Sequence, residues 1–314
     1  MTTEKPAKIS VIIAVYNQQD FLAELHEGLN KTFANRSAEC ELVYVDDGST
    51  DRSWEVIRDL EPGPLAVKRI KLRTSFGESA VLDAGMKAAS GEKILYFTCR
   101  VRINPADLLN VLARLDDGND VVLGLRSPRR DSRLNQMVSR MFNAMTNNMT
   151  KLDLHDINSG VMAAHRSVLE HVPFYGTLNA FIPVLAHRQG YKVVEEKVEQ
   201  LPGRFAQSLY PKNYIKRLLD FISVIFISKY SKKPLHFLGF LGVIFTLVGA
   251  VIDIYLFIYR VFGMGPIAGR PMLLLGVMLV IIGIQLISIG LLGEMIIYTH
   301  ANEIEDYNIQ EIIE

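Results

Sequence analysis

Apolar residues follow two regimes along this chain. Before about residue 200 they come in short β-branched runs separated by amphipathic stretches, and after residue 234 they are almost continuous. Ile9–Val15 (Ile-Ser-Val-Ile-Ile-Ala-Val) has the pattern of a strand covered on both faces. A helix of about 14 residues is expected after it, an ordinary length for such a unit. Further strands are predicted at the run ending in Val43-Tyr44-Val45, at 66–72, at 93–99 and at 120–125, with helices between. This alternation predicts an α/β domain with a doubly wound, mainly parallel sheet. Residues 191–198 alternate apolar and charged and fit a half-exposed edge strand. Residues 135–149 fit a helix, and Met137, Met141, Met145 and Met149, spaced by four, are expected to pack in the core.

The second strand runs directly into Asp46-Asp47-Gly48-Ser49-Thr50-Asp51. Gly48 permits a turn, and Ser49 or Thr50 is expected to cap a helix opening at Asp51. Such a segment is also ordinary turn chemistry. Ligands of open α/β sheets sit at the carboxyl ends of the strands, which places Asp46 and Asp47 beside a candidate pocket.

The second regime predicts a membrane hairpin. Residues 237–259 hold one charge, Asp253, and residues 272–293 hold none; each run exceeds the roughly 20 residues needed to cross a bilayer core. The short connection returns the chain to its starting side. Gly283, Gly290 and Gly293 permit close helix contact, and with it a homo-oligomer through these helices. Just before the hairpin, residues 211–233 mix Lys212, Lys216, Arg217, Lys229, Lys232 and Lys233 with aliphatic and aromatic residues. That composition suits a helix lying in a membrane interface, or a core helix of the preceding domain; the adjoining spans favour the interface. The organisation expected is a domain over 1–210, an interface helix over 211–233, a two-span hairpin over 234–300 and an acidic tail over 301–314. The first residues lack a hydrophobic signal region, and lysines cluster before Pro234, so the large domain is expected on the cytosolic side.

Composition removes some alternatives. The net charge is zero, which gives no basic field for nucleic acid. The two cysteines, Cys40 and Cys99, offer neither a disulfide framework nor metal-ligand spacing.

The order Val15-Tyr16-Asn17, Val45-Asp46-Asp47-Gly48-Ser49-Thr50-Asp51, Phe76-Gly77 and Asp156-Ile157-Asn158-Ser159-Gly160 resembles glycosyltransferase family 2. With the late hairpin it resembles the polyprenyl-phosphate glycosyltransferases, relatives of dolichol-phosphate mannose synthase. The resemblance implies a GT-A fold and transfer of a sugar from a nucleotide diphosphate to a lipid phosphate at the cytosolic face, with nucleotide sugar, polyprenyl phosphate and the bilayer as partners. It places Ala14, Tyr16 and Asn17 along the nucleotide and Asp47 on the base imide, with Asp46 beside it. It places Asp156 near the acceptor phosphate, and Arg204, Ser208 and Tyr210 in the acceptor loop.

Several positions depart from the family pattern. Where the family carries Asp-Ala-Asp-Leu-Gln to hold Mg²⁺ or Mn²⁺, this chain has Thr98-Cys99-Arg100-Val101-Arg102. No metal cofactor is expected here, since divalent cations need oxygen ligands that arginine lacks. Gly203 and Leu209 replace an Arg and a Lys of the acceptor loop, Ser75 an Asn, and Glu78 a basic or polar residue. The chain is therefore expected to have altered or lost the standard metal-dependent catalysis. In one alternative it is an active enzyme, with Arg100 or Arg102 as diphosphate clamp. In another it is a pseudo-enzyme acting as partner or regulator of a membrane glycosylation complex. A transporter subunit fits less well, because two spans are few and the large domain would be unexplained.

Overall fold

The computed structural model describes residues 9–61, 63–130, 136–137, 139–140, 143–144, 146–147, 152–172, 178–202, 234–263, 265–266 and 271–299. Arg204, Ser208, Tyr210, the segment 211–233 and the tail 301–314 lie outside them, as do Met141, Met145 and Met149. Met137 is described and is 62% exposed, so it does not pack in the core as its spacing suggested.

The sheet is built from β1 (Ile9–Val15), β2 (Cys40–Asp46), β3 (Ala66–Lys71), β4 (Lys93–Thr98), β5 (Val121–Arg126), β6 (Val161–His165) and β7 (Val193–Val198). Its seven strands take the order β3-β2-β1-β4-β6-β5-β7. All neighbours are parallel except β6, which runs antiparallel to both β4 and β5. Both β1 and β2 are buried along their whole length, including their few polar residues Ser10, Glu41 and Asp46, as strands covered on both faces are. The half-exposed strands β3 and β7 form the two edges.

Helices α1 (Leu22–Phe33), α2 (Ser53–Asp59), α3 (Glu78–Ala88), α4 (Asp107–Asp116), α5 (Arg166–His171) and α6 (Ile182–Arg188) belong to the same unit, with 3₁₀ turns at Ala34–Glu39 and Leu178–Phe181. The core divides into two apolar layers. One joins Leu25, Leu29 and Phe33 of α1 and Leu112 of α4 to the sheet, and the other joins Leu82 of α3 and Ile182 of α6 to it. The helix after β2 opens two residues later than expected. Its first N–H, that of Ser53, is met by Asp51 Oδ1 at 2.9 Å; Ser49 and Thr50 are engaged elsewhere.

The polypeptide forms a second compact unit from residue 221 onward, whose described part is α7 (Pro234–Val261) and α8 (Pro271–Thr299). These helices are long and apolar enough to cross a membrane, with mean hydropathy of 2.4 and 2.7. Glycines set how they pair. A Cβ on Gly242 would lie 2.6 Å from the carbonyl oxygen of Gly283, and one on Gly249 would lie 2.6 Å from that of Gly276. The two backbones therefore touch at levels two helical turns apart, where any larger residue would separate them.

Candidate functional site

Three loops converge at the carboxyl ends of β1, β2 and β4, and side-chain hydrogen bonds lace the first two together. Asn17, at a left-handed φ of 53°, turns its Oδ1 to the backbone N–H of Thr50 (2.8 Å) and of Asp51 (3.3 Å). Ser49 Oγ accepts from Asn17 N at 3.0 Å, and Ser53 Oγ accepts from Gln18 N at 2.8 Å. Gln19 closes the seam by accepting from Arg52 N at 2.9 Å. Gly48 has a φ of 65°, and a Cβ there would meet the Thr74 carbonyl carbon at 2.5 Å, so only glycine fits between these loops.

Both candidate carboxylates of β2 act within this framework. Asp46 is fully buried and accepts from the Ser49 N–H and hydroxyl. Asp47 accepts from Ser75 Oγ at 2.8 Å, Phe76 N at 2.8 Å and Gly77 N at 3.1 Å. It thereby fixes the entry into α3. Ala14 is also buried, and its carbonyl accepts from Cys99 N at 2.9 Å, tying β1 to the end of β4. Tyr16 is 39% exposed and Phe76 is 61% exposed, so aromatic surface borders the loops.

At the end of β4 the sequence placed two arginines. Arg100 forms an ion pair with Glu78 at the start of α3. Glu78 Oε2 also accepts from Asn179 Nδ2 at 2.9 Å. The two residues that depart from the family pattern in opposite charge senses thus meet in space. The guanidinium of Arg102 sits 4.7 Å from the ring centre of Phe21, within cation–π range.

Asp156, which the resemblance places near the acceptor phosphate, sits among the arginines at and just after the end of β5. It is fully buried and held by Arg126, Nε to Oδ2 at 2.6 Å and Nη2 to Oδ1 at 2.9 Å, with Arg129 Nη1 3.4 Å from Oδ1. Arg130 follows, its N and Nε bound to Gln200 Oε1 and O at 2.9 Å each. Along the sequence 126–133 is simply rich in arginine; which arginines turn inward depends on Asp156 and Gln200, far away along the chain. Tyr96 and Asn179 were not singled out by the sequence either, since neither lies in a motif.

The donor set at the end of β4 does not suit a divalent cation. Arg100 brings positive charge, Thr98 a neutral hydroxyl, and burial pushes the Cys99 thiol well above its usual pKa, so it stays protonated. The nearby carboxylates Asp46, Asp47, Glu78 and Asp156 are all engaged with donors of the chain itself. Among the described residues no group of three or more His, Cys, Asp or Glu converges as a metal site.

The family model for glycosyl transferase family 2 matches residues 10–173, more than half of the chain. The chain belongs to that family. Two relatives resemble it over almost its full length. An undecaprenyl-phosphate 4-deoxy-4-formamido-L-arabinose transferase of Enterobacter sp. (strain 638) is 28% identical, over 98% of this chain and 94% of the relative. That of Yersinia enterocolitica serotype O:8 is 28% identical, over 99% and 95%. Among solved structures, glucosyl-3-phosphoglycerate synthase from Mycobacterium tuberculosis, in complex with Mn²⁺, UDP and phosphoglyceric acid, superposes with a TM-score of 0.54 at 18% identity. It covers 71% of this chain and 78% of that one. The same enzyme with phosphoglyceric acid alone gives 0.53. These likenesses show the GT-A fold.

Proposed function

We propose that the chain moves a sugar from a nucleoside diphosphate to a polyprenyl phosphate, with Arg100 serving where the family pattern has a metal-binding carboxylate. The observation that carries this is the Arg100–Glu78 ion pair at the end of β4. A metal-binding loop decaying at random gives no reason for two altered positions to compensate one another in charge. A guanidinium aimed at this place can bind a diphosphate through both arms and stabilise the charge that grows on the leaving group. Glu78 then holds Arg100 in place until the diphosphate competes for it.

The nucleotide lies, in this reading, along Tyr16 and the laced loop 46–51, with exposed aromatic surface available to the base. Asp46 and Asp47 act through the backbone they hold. A lipid phosphate is largely ionised near neutral pH, since the second pKa of a phosphate ester is about 6. It needs a cationic seat rather than a proton acceptor, and Arg129 and Arg130, backed by Asp156 and Gln200, are candidates for that seat together with Arg204, Ser208 and Tyr210. Asp156 is thus a positioning residue. The two apolar helices anchor the chain in the bilayer, with the catalytic domain on the cytosolic side.

The partner role without turnover is favoured by one observation, the engagement of the nearby carboxylates within the protein itself. One experiment separates the readings. UDP and GDP are titrated into the full chain in detergent with Mn²⁺ or with EDTA, and transfer to radiolabelled lipid product is followed for wild type and Arg100→Ala. Expected are nucleotide affinities that differ less than tenfold, about 1.4 kcal/mol, and a loss of transfer on the order of 10²-fold or more in Arg100→Ala. A larger gain from Mn²⁺ overturns the arginine reading. Binding without transfer under any donor leaves the partner role.

A further inference from the structure

Beneath the loop 157–160, α3, β4 and α6 enclose a small pocket. Leu82, Leu123 and Ile182 form apolar walls, and Tyr96, Glu78 and Asn179 supply its polar groups. Tyr96 is 4% exposed, and its Oη has no hydrogen-bond partner among the described residues. Burial pushes the pKa of this phenol upward, so it remains an O–H donor throughout the physiological range. A buried donor without an acceptor is rare and calls for a ligand or a water. Across the pocket, Glu78 pairs with Arg100 and accepts from Asn179, which leaves lone pairs on a carboxylate that offers about four.

Size narrows what can enter. The cavity volume is about 30 Å³, on a measure where roughly 10–15 Å³ holds one water. That admits two or three heavy atoms and excludes a pyranose ring. A hydroxyl would leave the space half filled. An ammonium group would be placed in apolar walls with the Arg100 charge close behind Glu78, an unfavourable exchange for its hydration. A formamido group has three heavy atoms, one N–H and one carbonyl, and is uncharged.

We propose that this pocket is a sugar-specificity subsite that takes a small acylamino substituent of the donor sugar, its carbonyl accepting from Tyr96 Oη and its N–H donating to Glu78, with the sugar ring outside at the mouth. The assignment rests on the donor-binding function proposed above. Tyr96 and Asn179 act here as specificity-determining residues, and the ion pair that positions Arg100 also tunes the acceptor of the substituent's N–H. Sugar identity and the diphosphate clamp are therefore read by one carboxylate.

The test uses the full chain in detergent, and calorimetry with whichever of UDP and GDP the chain binds. Three donors built on that nucleotide carry L-arabinose with a 4-hydroxyl, a 4-amino or a 4-formamido group. The wild type should bind the formamido donor at least tenfold more tightly than either of the others. In Tyr96→Phe the ratio should fall below threefold, while the Tm of the ligand-free variant stays at or above that of the wild type. Leu82→Phe, which fills the pocket and leaves its hydrogen-bonding groups in place, should abolish the preference independently and decides the matter if Tyr96→Phe does not fold. Equal affinity for the three donors, or an unchanged ratio in both variants, means the pocket holds water only and overturns the subsite. Failure to bind either nucleotide overturns the donor-binding function and the subsite with it.

Discussion

Arg126 holds Asp156 with both arms of its guanidinium, at 2.6 and 2.9 Å, and the carboxylate is wholly shut off from solvent. Removing one partner of such a pair leaves an uncompensated buried charge. Asp156→Ala should cost about 3–5 kcal/mol of stability, measured as a fall in the denaturation midpoint of the purified chain. Asp156→Asn should cost less and retain part of any transfer activity, because an amide still accepts from one guanidinium arm. Complete loss of transfer in Asp156→Asn at an unchanged midpoint would instead make this carboxylate a proton acceptor.

At the opposite end of the sheet, Glu41 governs acid stability. Its carboxylate is 2% exposed; burial alone would raise the pKa, but Lys68 at 2.8 Å, Ser10 at 2.6 Å and Ser90 together hold it below the ordinary 4.5. A depressed folded-state value contributes stability that is fully present above about 4.5 and is lost as pH falls through the lower, folded value. Glu41→Gln should therefore lose about 1.5–3 kcal/mol near neutral pH, the worth of hydrogen bonds to a charged group. It should also show a flatter Tm-against-pH curve between pH 5 and 3. Parallel curves for variant and wild type would show that another group carries the acid transition.

The cysteines give a handle on membrane orientation. Both are buried, and burial pushes the thiol of Cys40 up to about 12. Cys99 is raised further by the same cause. Neither should react with a thiol reagent at pH 8 until the protein unfolds. A cysteine introduced at exposed Phe262, between the two apolar helices, should then be the sole reactive thiol. In sealed inside-out vesicles, where the cytosolic face is outward, a membrane-impermeant reagent should fail to reach Phe262→Cys until detergent is added. Immediate labelling would invert the proposed topology.

The sheet was legible because β1, β2 and β4 are buried on both faces and carry near-continuous apolar runs, and β7 shows its edge position by alternating charged with apolar residues. The reversed direction of β6 was not, since a short buried strand reads the same in either sense. At the site, the turn after β2 was found from Asp46 to Asp51, but not the donors its carboxylates meet, Ser49 of the same turn for Asp46 and the loop before α3 for Asp47. An aspartate does not disclose from its sequence which donor it will meet. Arg100 and Glu78 were each noticed as departures; that they pair depends on the sheet bringing the ends of β4 and α3 together. Tyr96 was hidden for another reason, because a tyrosine inside a strand fits the core whether or not its hydroxyl is satisfied.

The glycine contacts between α7 and α8 restrict more than helix spacing. With the backbone of Gly242 against Gly283 and that of Gly249 against Gly276, the seam has no room for a hydrocarbon chain. A polyprenyl tail is far thicker than the gap such contacts leave. In the proposed function, then, the tail of a lipid-linked acceptor has no path through the seam, and the apolar surface open to lipid is the outer faces, where Phe240, Leu247, Val251 and Leu274 are exposed. Those faces, unlike the seam, can change composition without unseating the helices. A change in bilayer composition would then be met on a surface free to vary, while the seam beneath it stays fixed.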